Sequence, residues 1–141
     1  MSRLSVWVAA LWWCSLGLIG LLVVPLLFIH LPTPAMAGSM AAKLFQAQTW
    51  LSVVCGLLLL LGTRAKRADV LAPVALDAVP FIVGGMLLAL LSEFAVAPHI
   101  VARENLRLWH NVGTAMFALQ WLCAGRIFWK LTPPSPDGAR D

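Results

Sequence analysis

The sequence predicts an all-α integral membrane protein, a four-helix bundle built of two helical hairpins with both termini cytoplasmic. Three observations lead to that fold class. Of 141 residues, 61% are hydrophobic and only 11% charged, against about 25% charged for an average soluble protein. A water-soluble domain this small could not hide so much apolar surface. The apolar residues gather into four stretches, about 6–29, 41–61, 78–96 and 108–131, each close to the roughly 20 residues that cross the hydrocarbon core as a helix with every backbone amide satisfied internally. Basic residues collect at the ends of these stretches, which is how a membrane protein sets its orientation. With the amino terminus inside, Arg3, Arg64, Lys66, Arg67, Arg126, Lys130 and Arg140 are cytoplasmic and Lys43, Arg103 and Arg107 are outside, seven against three. The expected location is the cytoplasmic (inner) membrane, with residues 1–131 as the transmembrane domain and 132–141 as a disordered cytoplasmic tail.

The first stretch follows a short basic start with Arg3 and runs without a formal charge to Ile29. A secretory leader with a cleavage site near Ala35-Met36-Ala37 is the rival reading, but leader cores run only about 7 to 15 residues. Pro32-Thr33-Pro34 stops the helix, because proline lacks the amide donor and restricts the residue before it. The second stretch carries Lys43, Gln46, Gln48, Thr49 and Ser52 in its outer half and an unbroken leucine run in its inner half. The densest basic run, Arg64 to Arg67, follows on the inner side. Pro80 suits the first turn of the third stretch, where its missing donor costs little. Residues 97–107 read as a polar connection with His99, Arg103, Glu104 and Arg107, and Asn105 is placed to cap the fourth helix. Val23-Val24-Pro25 and Val96-Ala97-Pro98 match as a weak internal echo, which would make any duplication of the hairpins a parallel one.

Glu93 is the one carboxylate well inside an expected span, and a charge there is costly unless it finds a partner or water. Two readings stay open: a structural ion pair with Lys43, Arg103 or Arg107, or a proton or cation role. From Lys43 a polar stripe continues through Gln46, Thr49 and Trp50 and should face Glu93 or Gln120 inside the bundle. His30, His99 and His110 fall at the outer face, with Met36, Met40 and Met116 nearby. That set is a candidate for a soft metal or haem site, against the plainer role of capping helix ends. Cys14, Cys55 and Cys123 lie singly at a similar depth; three thiols could hold Cu(I), although free cysteine usually packs as a small apolar side chain. Gly17, Gly20, Gly84 and Gly85 read as packing points. Basic residues at segment ends do not make a nucleic-acid surface, and no phosphate loop, nucleophile elbow or HExxH appears. No catalytic residue is expected.

The stretch PLLFIHLPTPAMAGSMAAKLFQAQTW and the later VAPHIVARENLRLWHNVGTAMF resemble the bacterial branch of the transmembrane protein 205-like family, small four-helix membrane proteins. The likeness covers nearly the whole chain short of the tail. It implies distant kinship with the copper-resistance D type membrane domain and with a four-helix haem-dependent oxidase of porphyrin synthesis, whose membrane histidines bind the cofactor. A haem role would carry over to His30. The expected function is a non-enzymatic membrane component that handles a metal ion or small solute or maintains the envelope, with no cofactor. The alternatives are a haem- or copper-binding redox protein, and an assembly factor whose Gly17/Gly20 face docks a partner. The lipid bilayer is the expected surrounding, with a second copy or another membrane protein as partner and no nucleic acid.

Overall fold

The computed structural model describes residues 3–65 and 72–132, and these are helical with no strand. They form four rods. The first joins α1 (Arg3–Leu18) to α2 (Val24–His30) through a π-helical turn, Ile19–Val23. The second is α3 (Pro34–Ala65). The third joins α4 (Ala72–Leu91) to α5 (Ala97–Val101) through a second π-helical turn, Ser92–Val96, and the fourth is α6 (Leu106–Leu131). Residues 66–71, with Lys66 and Arg67, and the tail 133–141 lie outside the described residues.

Each π turn lies just before a proline, and the geometry accounts for it. Pro25 and Pro98 have no N–H to give to the carbonyl four residues earlier, and their rings press on it. Widening the turn so that Val24 N–H bonds Ile19 O, and Ala97 N–H bonds Ser92 O, relieves both defects without ending the rod. The sequence echo around these prolines therefore has the same local shape in both rods. Pro80 sits within α4 and not in its first turn, because the helix begins at Ala72.

The rods are longer than the apolar stretches suggested. The second starts at Pro34, with Thr33 Oγ1 accepting the Met36 N–H at 3.2 Å and Thr33 O accepting that of Ala37 at 3.1 Å, a capped start with proline in the first turn. The third continues through Pro98 to Val101, which leaves only residues 102–105 as the turn. Asn105 precedes α6, but in a left-handed conformation (φ 40°) and with no side-chain cap; its carbonyl accepts from Leu108 and Trp109 instead.

Neighbouring rods run antiparallel. Gly17 faces Trp121 and Gly20 faces Phe117 between the first and fourth rods, so numbers rise in one as they fall in the other. Gln48 reaches Ser15 while Gly62 meets Ser5. Gln46 reaches Glu93 while Gly56 meets Met86, and Val96 faces Gly113 while Gly85 faces Cys123. Both ends of the described chain thus lie at one end of the molecule. Here Lys130 Nζ donates to Asp77 O at 3.2 Å and lies 3.7 Å from its carboxylate, clamping the third rod to the fourth.

The core lies toward that same end, around Ala9, Trp12, Leu16, Cys55, Leu59, Ala78, Ile82, Ala124 and Ile127. The outward faces are apolar: Trp7 is 72% exposed, Leu21 76% and Trp129 76%. In water, so large an unbroken apolar surface would drive association. Three helical stretches, Arg3–His30, Pro34–Thr63 and Asp77–Val101, are long and apolar enough to cross a membrane. At 26 residues α6 is long enough as well, but Arg107, His110, Asn111, Gln120, Arg126 and Lys130 make it more polar than the other three.

Candidate functional site

Polar side chains meet at two places between the rods. The outer one joins the second rod to the third. Gln46 Nε2 donates to Glu93 Oε1 at 3.0 Å, and Glu93 is half-buried within the Ser92–Val96 turn. The polar stripe does reach Glu93, as its spacing implied, but through Gln46. Among the described residues the ion pairs are His99 with Glu104 and Lys130 with Asp77, and neither includes Glu93. Lys43 is exposed, as are Arg103 and Arg107 in and after the short turn, so of the two readings of Glu93 the ion pair is not formed, and the Gln46 amide is the partner instead. Among the described residues no basic side chain is paired with this carboxylate.

The inner place is a buried layer joining three rods. Ser52, fully buried, donates to the Gln48 carbonyl at 2.8 Å and accepts from Gln120 Nε2 at 2.9 Å. Gln48 Nε2 bonds Ser15 Oγ at 3.0 Å, and Ser15 Oγ donates to the Trp12 carbonyl at 2.9 Å. Thr49 is buried and Trp50 is exposed, so of the stripe that begins at Lys43 it is Gln46 that reaches Glu93, while Gln120 is met by Ser52. Gln48 and Ser52 were visible in the sequence at i, i+4 spacing, which puts both on one helix face. Ser15 was not, being a single hydroxyl inside an apolar run.

At the outer end, His99 Nδ1 lies 2.7 Å from Glu104 Oε2, and its ring stacks on Trp109 with centroids 4.1 Å apart. This pair ties α5 to the turn, in which Arg103 and Asn105 have positive φ. Arg103 at φ 56° carries the steric cost that a β-carbon meets in the left-handed region. His30 and His110 are exposed. Among the described residues no group of three or more His, Cys, Asp or Glu side chains is arranged to hold a metal ion. That covers the three histidines and the three cysteines: Cys55 is buried, Cys123 half-buried and Cys14 exposed, so their common depth does not bring them together. Cys14 instead lines a shallow apolar groove with Trp13, Gly17, Leu18 and Trp121.

Gly17 and Gly20, read from the sequence as packing points, pack inside the molecule. A Cβ at Gly20 would lie 2.7 Å from Phe117 Cε1, and one at Gly17 would lie 3.2 Å from Trp121 Nε1, so both glycines let the first rod approach the fourth. Gly85 does the same for Trp12, at 3.0 Å, whereas Gly84 has open space before it.

Neither the curated proteins nor the solved structures include a match to the chain. One family model does match it, described as a domain of unknown function (DUF4149), over residues 7–108. That range takes in nearly all of the first three rods, with both π turns and the Gln46–Glu93 bond, and stops just inside α6. It spans well over half of the 141 residues, and the chain is therefore a member of the DUF4149 family, a membrane-type domain of unknown function.

Proposed function

We propose that the chain is a non-enzymatic, multi-pass protein of the cytoplasmic (inner) membrane in which Glu93 takes up a proton or a small cation between the second and third rods. The supporting observation is the partner of Glu93: a neutral amide, Gln46, at 3.0 Å, with no basic side chain among the described residues paired to it. A carboxylate half-buried in an apolar span is costly to keep charged, and structural carboxylates in such places are usually balanced by a cation of the protein itself. With that balance missing, a proton or an external cation is what lowers the cost.

In this reading all four rods cross the bilayer, with both termini cytoplasmic. The polar residues of α6 fit a crossing, since Gln120 turns inward to Ser52 while Arg107, Arg126 and Lys130 lie toward its two ends. The seven-to-three distribution of Lys and Arg favours cytoplasmic termini. The resemblance of residues 25–50 and 96–117 to the transmembrane protein 205-like family is in keeping with a small four-helix membrane protein.

The experiment uses the full chain in liposomes with a pH-sensitive dye inside, under an imposed inside-negative potential, with sodium or potassium tested by isotope uptake in parallel. Uptake above that of protein-free vesicles, falling at least tenfold in Glu93→Gln, is the expected result. Wild-type vesicles no more permeable than empty ones to protons and to both cations would overturn the proposal.

A further inference from the structure

The two π turns stand at about one height in the molecule. On the fourth rod, Phe117 faces Gly20 and Gly113 faces Val96. Phe117 and Gly113 are about one helical turn apart, and Val23 lies three residues outward of Gly20, so Val23 and Val96 end their turns within about 5 Å of the same level. Each turn is matched by a glycine in the limb that follows it. Counting ten residues outward along both rods from the Ser15–Gln48 bond pairs Pro25 with Gly38, which precedes Ser39 and has open space before it. At the second turn, Gly113 is the residue opposite Val96. Prolines, π turns and Gly/Ser pairs are where helices bend, and here they fall in one transverse layer.

Packing differs on the two sides of that layer. On the inner side lie the fully buried Trp12, Leu16, Ile82 and Ile127, the Ser52–Gln120 bond and the Lys130–Asp77 clamp. On the outer side no residue of α2 or α5 is buried, and the buried residues of α6 begin only at Gln120. Among the described residues the outer half buries Ala37, Ala41 and Val96, none larger than valine. Segments with few buried apolar contacts are the ones that open or shift at low cost. The outer end of the second hairpin is nevertheless held together as a piece, because His99 stacks on Trp109 and lies 2.7 Å from Glu104, so α5 and the start of α6 are coupled across the turn.

We infer that the outer ends of the two hairpins, residues 24–38 and 97–113, are flaps that swing about this layer while the inner half stays fixed. Hinges of this kind need only a few residues that absorb the change in backbone angle. Glu93 lies inside one of them, and its bond from Gln46 ties that hinge to the second rod. The carboxylate proposed above to take up a proton or cation therefore sits on the moving boundary. The motion itself does not depend on that reading.

The test is pulsed electron resonance between pairs of spin labels on the full chain in lipid nanodiscs, with Cys14, Cys55 and Cys123 replaced by alanine. No ion gradient is applied, so a failure of cation uptake at Glu93 and a failure here are separate results. Labels at exposed Ile29 and Val101 report the flaps, and labels at exposed Leu11 and Leu87 report the inner half. The distance distribution of the flap pair is expected to be at least twice as wide as that of the inner pair. It should narrow to the inner pair's width when Pro25→Ala and Pro98→Ala are combined, with helix content unchanged. A flap pair no wider than the inner pair in the chain with both prolines would overturn the inference whether or not the proline variant folds. So would a flap pair that stays as wide in the folded proline variant.

Discussion

Ser52 carries more of the interior than its size suggests. Its oxygen is the acceptor for Gln120 from the fourth rod, at 2.9 Å, and a longer contact, 3.5 Å, for Gln48 from its own rod. A single hydrogen bond between membrane helices is worth only about 0.6 kcal/mol on average. Replacing Ser52 by valine removes the acceptor of the buried Gln120 amide, while Gln48 keeps its shorter bond to Ser15, and a buried donor left unpaired costs about 1–3 kcal/mol. Unfolding of Ser52→Val in mixed micelles should therefore show a loss of about 1–3 kcal/mol, whereas Gln46→Leu, at an exposed position, should cost less than about 1 kcal/mol. Equal effects would mean that burial does not separate the two contacts. Glu93 and Gln46 were legible in the sequence because a carboxylate in an apolar run stands out and the stripe from Lys43 points toward it. Ser52 was less legible, since a lone hydroxyl in a helix often bonds its own backbone four residues earlier, and Ser52 does that as well. That Gln46 meets Glu93 and Lys43 does not could not be read from the sequence, because composition shows which charges are near a helix end but not which way each long side chain leaves it.

Among the elements, the two proline-linked π turns set which face each rod presents at its outer end. One extra residue in a turn rotates everything beyond it by about 100° relative to an unbroken α-helix. Glu93 lies inside the second of these turns. Pro98→Ala restores the N–H that can bond the Phe94 carbonyl, so the wide turn loses its cause and the rod should relax toward regular α-helix. Spin labels at exposed Leu87 and Val101, on either side of the turn, should then change their separation by several ångströms, with helix content unchanged. The same labels should be unmoved by Pro80→Ala, since α4 runs through Pro80 without such a turn. An unchanged separation in Pro98→Ala would refute the link between proline and π turn. The repeated Val-x-Pro pattern was visible in the sequence, but hydrophobic periodicity over a mostly apolar segment cannot register a single inserted residue. The rod ends were misjudged for a related reason: apolarity marks the hydrocarbon layer, while helix continues into the interface wherever caps allow, as at Thr33 and after Pro98.

For the whole molecule, the fold class follows from composition and the packing order follows from contacts that composition does not contain. Antiparallel neighbours and apolar exteriors were implied by four apolar stretches separated by short connections, whereas the core around Trp12 and Ile82 was not. The polar character of α6 makes it the rod on which the membrane account rests, since only the other three qualify by length and apolarity alone. The direct measurement is labelling by a membrane-impermeant thiol reagent in intact and permeabilised cells. Cys14, Cys55 and Cys123 are first replaced by alanine, and a single cysteine is introduced in turn at Thr33, Arg103, Asp69 or Ser135. Four crossings predict that Thr33→Cys and Arg103→Cys react from outside, and that Asp69→Cys and Ser135→Cys react only after permeabilisation. Labelling of Ser135→Cys in intact cells, with Asp69→Cys still protected, would mean that α6 does not cross and would contradict the account.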